Sequence, residues 1–255
     1  MAVRTTPRQL KPTVVVPTYN EAENVGPMVE ALLSQELPDL RVLIVDDESP
    51  DGTGRIASQL ADHHPGRVYV LHRSGQRGLG RAYVDGFRWA LDHGAEAVVQ
   101  MDCDFSHSPT DVPRLVGPLP EYDLVIGSRY VQGGEVAEDW ELGREFLSWW
   151  ANLYTRLILR ASIQDITGGF RAWRRETLEG IDLGSIRSQG YIFQVEMAYV
   201  ANRLGYTMLE VPIYFADREA GESKMSMGVK IEAALGVWKI WLRHRHLTPN
   251  DRKSA

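Results

Sequence analysis

Short apolar runs alternate along the chain with stretches in which apolar residues recur every three or four positions. The runs are rich in β-branched residues: "TVVVP" (13–17), "RVLIV" (41–45), "RVYVLHR" (67–73), "AEAVVQM" (95–101) and "YDLVIGS" (122–128). Each reads as a buried strand bounded by turn residues. Between them, "NEAENVGPMVEALLSQ" (20–35), "TGRIASQLADHH" (53–64) and "LGRAYVDGFRWALDHG" (79–94) carry helical spacing, the first opening on Asn20 as its cap. A short helix starts at Ser108, which stands before Pro109 in the manner of an N-cap. Strands alternating with helices over this half predict an α/β fold, a mostly parallel sheet with helices on both faces. The second half reads as more helical, over 142–161, 191–204 and 227–243, with one more strand in "YTMLEVPIYF" (206–215).

Ligands of open α/β sheets bind outside the carboxyl ends of the strands. Polar clusters fall there four times: "TYNE" after the first strand, "DDESPDGT" after the second, "DCD" after the fourth and "SR" after the fifth. The second cluster has turn chemistry over Ser49 to Gly52. That leaves Asp46 and Asp47, at the strand end, open to ribose or base hydrogen bonds. No G-x-G-x-x-G follows the first strand, which argues against a standard dinucleotide site.

Composition narrows the class. The 255 residues are 44% apolar and carry a net charge of −6, so no global basic field points to nucleic acid. A single cysteine, Cys103, excludes an internal disulfide framework and suits a reducing compartment. The first residues carry no secretory-type apolar segment, and no apolar run reaches spanning length. The expectation is a cytoplasmic chain that does not span a membrane.

Asp102 and Asp104, one residue apart after an apolar strand, repel each other unless something compensates them. One reading is a solvated turn in which a carboxylate caps the next helix, although Ser108 is the better cap. The other is a hard divalent cation, Mg²⁺ or Mn²⁺, held between the two carboxylates and a diphosphate.

The segments "VVVPTYNEAENV", "VLIVDDESPDGT", "RGLGRAYVDGF", "MDCDFSHSP", "IGSRYVQGG", "DITGGFRAWRRETL", "GYIFQVEM" and "EVPIYFADREAGESKM" resemble, in order, the family 2 glycosyltransferases of the polyprenol- or dolichol-phosphate mannose synthase type. The resemblance covers 13–228, with 1–12 an N-terminal extension and 229–255 an amphipathic helix and basic tail. It implies a Rossmann-like GT-A fold and mannose transfer from GDP-mannose to polyprenyl phosphate, with another donor such as UDP-glucose, or a hydroxyl acceptor, as the alternative. By the same resemblance, Pro17, Tyr19, Glu21, Val45 and Asp47 hold the donor nucleotide. Asp102, Cys103 and Asp104 form the donor-diphosphate segment, with Asp102 and Asp104 as metal ligands. Arg129, Arg218 and Lys224 are further donor contacts, while Arg129, Arg144 and Ser148 clamp the acceptor phosphate. Asp104, Arg129 and Arg144 are the residues nearest the chemistry. Some members carry Gln two residues after the second Asp as a ligand; Ser106 stands there in this chain.

Arg144 and Ser148 are four apart in an expected helix and so share a face, as a phosphate clamp requires. Arg218 and Lys224 flank a Gly- and Ser-containing loop suited to closing over a diphosphate. A phosphate acceptor is largely ionised at neutral pH and needs positioning; a hydroxyl acceptor needs a base, for which Asp165 and Glu196 stand available. Trp140, Trp149, Trp150, Trp238 and Trp241 lie in two segments that mix aromatic, aliphatic and basic residues. Such segments fit helices lying in a lipid interface, and Trp-rich core helices fit equally. The expected setting is peripheral, on the cytoplasmic face of a membrane, with a membrane-protein anchor as a further possible partner.

Overall fold

The structure, a computed structural model, describes residues 10–137, 142–216 and 227–253, leaving aside the side chains of 142–146 and 227–233. Arg218, Lys224 and Trp140, and the side chain of Arg144, lie outside the described residues.

The first half alternates as its pattern predicts. β1 (Pro12–Thr18), α1 (Val25–Leu33), β2 (Arg41–Asp46), α2 (Thr53–His63), β3 (Val68–His72), α3 (Leu79–Asp92), β4 (Ala97–Gln100), α4 (Val112–Val116) and β5 (Leu124–Ser128) follow in order. The second half holds β6 (Glu135–Val136), α5 (Leu142–Leu159), β7 (Arg171–Arg174), α6 (Arg175–Gly180), α7 (Ile192–Arg203), β8 (Met208–Pro212), β9 (Tyr214–Phe215) and α8 (Met227–His244). Seven strands form one sheet in the order β3-β2-β1-β4-β7-β5-β8, and β6 pairs with β9 in a second, small sheet. β7 runs antiparallel to both β4 and β5, while the other pairings of the large sheet are parallel.

Both sheet faces are buried, so the strands read as continuous apolar runs rather than alternating ones. Val15, Leu43, Val45, Val98 and Ile126 face the layer that includes α3, α7 and α8. Their neighbours Val14, Val16, Val42, Ile44 and Val99 face α1, α2 and α4. α3 packs very close to the sheet: a β-carbon on Gly86 would fall 2.4 Å from Val15 Cγ1. Only glycine permits that approach.

Three sequence expectations need correction. α1 begins at Val25 with Asn24 preceding it, whereas Asn20 has φ 62° and belongs to the loop. The "YTMLEVPIYF" stretch is two strands, because Ile213 separates β8 from β9 and each joins a different sheet. β7 was not expected as a strand. Its "RAWR" pattern puts two arginines in a four-residue strand, yet Arg171 is fully buried and donates to the carbonyls of Gln194 and Ile166.

One buried carboxylate ties the carboxyl-terminal helix to this body. Glu196 on α7 is fully buried and accepts from the backbone N–H groups of Arg187 and Ser188 at 3.0 and 2.7 Å. Arg243 and His244, at the end of α8, reach the same carboxylate at 2.6 and 2.8 Å. Burial alone would raise its pKa, but the bonds from His244, Ser188 and Arg243 outweigh burial and bring it down from 4.5 to about 2. The paired charge therefore contributes stability above pH 4.5 that is lost as pH falls through about 2, on the order of 3 kcal/mol. Glu196→Gln is expected to unfold at lower urea at pH 7, by about 3 kcal/mol or more because Arg243 and His244 lose their partner. Its deficit against the wild type should shrink between pH 4.5 and 2. A deficit constant across that range would contradict the assignment.

Candidate active site

The carboxyl ends of β1, β2, β4 and β5 bring the polar clusters to one edge of the sheet, as their positions predict. At the β2 end the two aspartates divide their work. Asp46 accepts from the hydroxyls of Thr18 and Ser49, at 3.3 and 2.6 Å, and so builds the turn. Asp47 accepts from Gly78 N–H at 2.9 Å and pairs with Arg73, whose Nε also reaches Asp85 at 2.8 Å. Gly78 has φ 148° and stands at the start of α3, so that helix delivers an N–H to Asp47. Tyr19, 41% exposed, receives a hydrogen bond from Arg77 at 3.0 Å and has that guanidinium 4.8 Å from its ring centroid. Pro17 and Val45 stand opposite each other in the β1–β2 register, and Glu21 accepts from Asn24 at 2.7 Å.

Beyond β4, Asp104 is buried, and its Oδ1 accepts from both the backbone N–H and the hydroxyl of Ser106, at 3.1 and 2.6 Å. Ser106 therefore orients Asp104. Asp102 Oδ1 accepts from the Tyr83 hydroxyl at 2.7 Å. Cys103, between them, packs in the apolar core; burial and then Glu21 push its thiol well above the usual range. Among the described residues, no three His, Cys, Asp or Glu side chains cluster as metal ligands. The donor set that fits a cation is instead the two hard carboxylates of Asp102 and Asp104, oxygen ligands of the kind Mg²⁺ or Mn²⁺ takes when it is bound together with a diphosphate.

Arg129 follows β5 and is held by Asp165. Nε and Nη2 donate to its two carboxylate oxygens at 2.8 Å each, and the Arg129 N–H adds a third bond at 3.0 Å. Asp165 is fully buried; burial opposes its charge, yet Arg129 lowers its pKa below the ordinary value. Both base candidates, Asp165 and Glu196, are thus committed to cations as carboxylates. Ser148, on α5, hydrogen-bonds the Tyr130 hydroxyl at 2.8 Å, and the Arg129 guanidinium lies 5.2 Å from the same ring. Ser148, Tyr130 and Arg129 therefore form one continuous group.

Several residues here escaped the sequence reading: Arg73, Arg77, Gly78, Tyr83 and His107. His107 is buried against Phe170 and Phe215, and its Nδ1 accepts from Asp102 N–H at 3.3 Å. Burial lowers its pKa despite the nearby Asp102 and Asp104. The "DCDFSHSP" spacing was a signal for His107. Arg77 and Tyr83 fall within the quoted "RGLGRAYVDGF" segment but, like Arg73, reach partners across the fold that nothing local names. A concavity of about 820 Å³ lies at the opposite, amino-terminal ends of the strands beside Lys11, Arg41 and Arg67. It contains none of the expected residues, and Arg41 and Arg67 donate there to the carbonyls of His93 and Leu40.

The geometry can be set beside known proteins. The glycosyl transferase family 2 model matches residues 13–181. The undecaprenyl-phosphate mannosyltransferase of Micrococcus luteus is 47% identical over 231 residues, covering 91% of this chain and 94% of that one. The polyprenol monophosphomannose synthase of Mycolicibacterium smegmatis is 47% identical over 244 residues, 95% of this chain and 90% of that one. Among solved structures, a mannosyltransferase of Pyrobaculum calidifontis in complex with GDP-Man and Mn²⁺ superposes with a TM-score of 0.66 at 22% identity, covering 96% of this chain and 68% of that one. Glucosyl-3-phosphoglycerate synthase of Mycobacterium tuberculosis, in complex with Mn²⁺, UDP and glucosyl-3-phosphoglycerate, gives a TM-score of 0.64 at 18% identity, 92% of this chain and 80% of that one. These two share the fold. The length and level of the 47% matches, together with the family model, show that the chain belongs to glycosyl transferase family 2, in the group of the polyprenyl-phosphate mannosyltransferases.

Proposed function

We propose that this chain transfers mannose from GDP-mannose to polyprenyl phosphate, inverting the anomeric centre and giving polyprenyl-phosphate mannose. The observation that carries the reading is the 47% identity, over nine-tenths of both chains, to two enzymes named for that acceptor class. The site geometry supports it. A sugar hydroxyl needs a base within reach of its proton, but Asp165 and Glu196 are both bonded to cations. A phosphate monoester, with its second pKa near 6, arrives largely ionised and needs only to be held.

In this reading Pro17, Tyr19, Glu21, Val45 and Asp47 receive the nucleotide, and Asp102 and Asp104 would hold the divalent cation. When bound, the cation supplies charge neutralisation to the leaving diphosphate. Arg218 and Lys224 are proposed to add to that neutralisation from the donor side. Arg129, Arg144 and Ser148 grip the acceptor phosphate, whose oxygen attacks the anomeric carbon as the bond to the diphosphate breaks and GDP leaves. Arg129 acts as a fixed charge, since Asp165 sets its direction. No proton needs to be removed in the step.

The lipid tail of such an acceptor needs a surface. On α5, Trp149, Trp150 and Leu157 are exposed; on α8, so are Leu235, Trp238 and Leu242. The two helices join through Tyr154, which stacks on Trp150, donates to Ala234 O and accepts from Trp238 Nε1 at 3.0 Å. No helix among the described residues is long and apolar enough to cross a membrane. We assign this aromatic face to peripheral contact with lipid, on the cytoplasmic side, with Arg245 and His246 beyond α8 near anionic headgroups.

Radiolabelled GDP-mannose with a short polyprenyl phosphate should give organic-extractable label, and the matching polyprenol should give none. Label on the alcohol would contradict the phosphate mechanism. Excess chelator should abolish transfer, and Asp104→Ala should lose metal-dependent GDP binding while remaining folded; full turnover in chelator would refute the cation's role. Arg144→Ala should lower acceptor efficiency about ten- to a hundred-fold, the worth of one charge-assisted contact. Donor binding should change little, and equal losses for donor and acceptor would remove Arg144 from the clamp.

A further inference from the structure

α3 serves the site twice. The residue that leads into it, Gly78, gives Asp47 its N–H, and further along Tyr83 gives Asp102 its hydroxyl at 2.7 Å. The phenol has little freedom. Tyr83 is fully buried, with its ring stacked on Phe193 at a centroid distance of 5.8 Å and an interplanar angle of 6°, and Phe87 against it at 5.8 Å. The helix beneath it is also wedged. A β-carbon on Gly80 would fall 2.7 Å from Ser188 O, and one on Gly86 would strike Val15. A neutral donor is therefore held still against one oxygen of a carboxylate whose neighbour, Asp104, is also negative.

Two carboxylates two residues apart beyond β4 repel, and a freely rotating Asp102 would relieve the repulsion by swinging away. We propose that Tyr83 is a positioning residue for divalent-cation binding: its hydroxyl fixes the rotamer of Asp102, so that the other carboxylate oxygen, Oδ2, is presented beside Gly169 for the cation. The inference rests on the metal reading of the Asp102 and Asp104 pair. Asp104 has its counterpart of this support in Ser106, so each ligand is held on Oδ1 by a hydroxyl. Fixing ligands before the cation arrives raises affinity, and removing such an outer partner typically weakens binding 10- to 100-fold.

The test is Mn²⁺ affinity, read by electron paramagnetic resonance of free Mn²⁺ in the presence of GDP, for wild type, Tyr83→Phe and Asp104→Asn. Tyr83→Phe keeps the ring and is expected to bind Mn²⁺ about 10- to 100-fold more weakly. Its affinity for GDP in chelator should be unchanged, and its kcat should be largely recovered at saturating Mn²⁺. Wild-type Mn²⁺ affinity in Tyr83→Phe overturns the inference while leaving the metal reading intact. Absence of Mn²⁺ binding by the wild type overturns the metal reading and this inference with it. Loss of GDP binding in chelator would make Tyr83 a general structural residue and also overturn the inference. Should Tyr83→Phe fail to fold, 3-fluorotyrosine placed at position 83 keeps both ring and hydroxyl. Its fluorine resonance should shift when Mg²⁺ and GDP are added together, but not when both are added in an Asp104→Asn background. A resonance indifferent to Mg²⁺ in the wild-type background overturns the assignment.

Discussion

The buried pair of Arg129 and Asp165 is the interaction on which the rest of the site depends. A fully buried carboxylate is costly unless charge and hydrogen bonds compensate it, and Asp165 receives both from one residue through three bonds. The pair stands where several elements converge. The backbone N–H groups of Gln164 and Asp165 donate to Glu210 on β8 at 2.7 and 2.8 Å, and Ile166 N–H donates to Asn152 on α5 at 3.1 Å. The end of β5, the segment leading to β7, β8 and α5 are therefore joined by polar contacts at one point. Loss of either charge would strip the other, buried, of its main partner, which ties Asp165 to structure as a carboxylate.

That constraint shapes the chemistry. A site whose inner carboxylates are spent on structure favours a nucleophile that arrives already charged, and polyprenyl phosphate is one. In the proposed mechanism Asp102 and Asp104 have the separate task of receiving a cation together with a diphosphate, which would offset their mutual repulsion. Stability and mechanism thus divide the carboxylates. Asp165 and Glu196 hold elements together, while Asp102 and Asp104 accept from the hydroxyls of Tyr83 and Ser106 and are the pair proposed to take the cation.

Much of the fold was legible in the sequence because both sheet faces are covered, which makes each parallel strand a plain apolar run. The helices 142–161, 191–204 and 227–243 were read to within a few residues of α5, α7 and α8. β7 was not legible, since it carries two arginines, and the buried one, Arg171, donates to the carbonyls of Gln194 and Ile166, which no local pattern reveals. The site was legible where residues stand directly at strand ends, as Asp47, Asp102 and Arg129 do. It was not legible where a side chain reaches in from another element. Tyr83 lies on the buried face of an ordinary amphipathic helix, and only the fold shows that its hydroxyl meets Asp102. Asp165 and Glu196 looked like available bases because a sequence names a carboxylate without naming its partner.

The central claim is that the acidic pair receives the cation while the inner carboxylates remain structural. Anomalous diffraction from crystals grown with Mn²⁺ and GDP tests both halves at once. The account predicts one strong peak between the carboxylates of Asp102 and Asp104, with Asp165 still paired to Arg129. A peak elsewhere, or Asp165 turned from Arg129 toward the ligand, would contradict it.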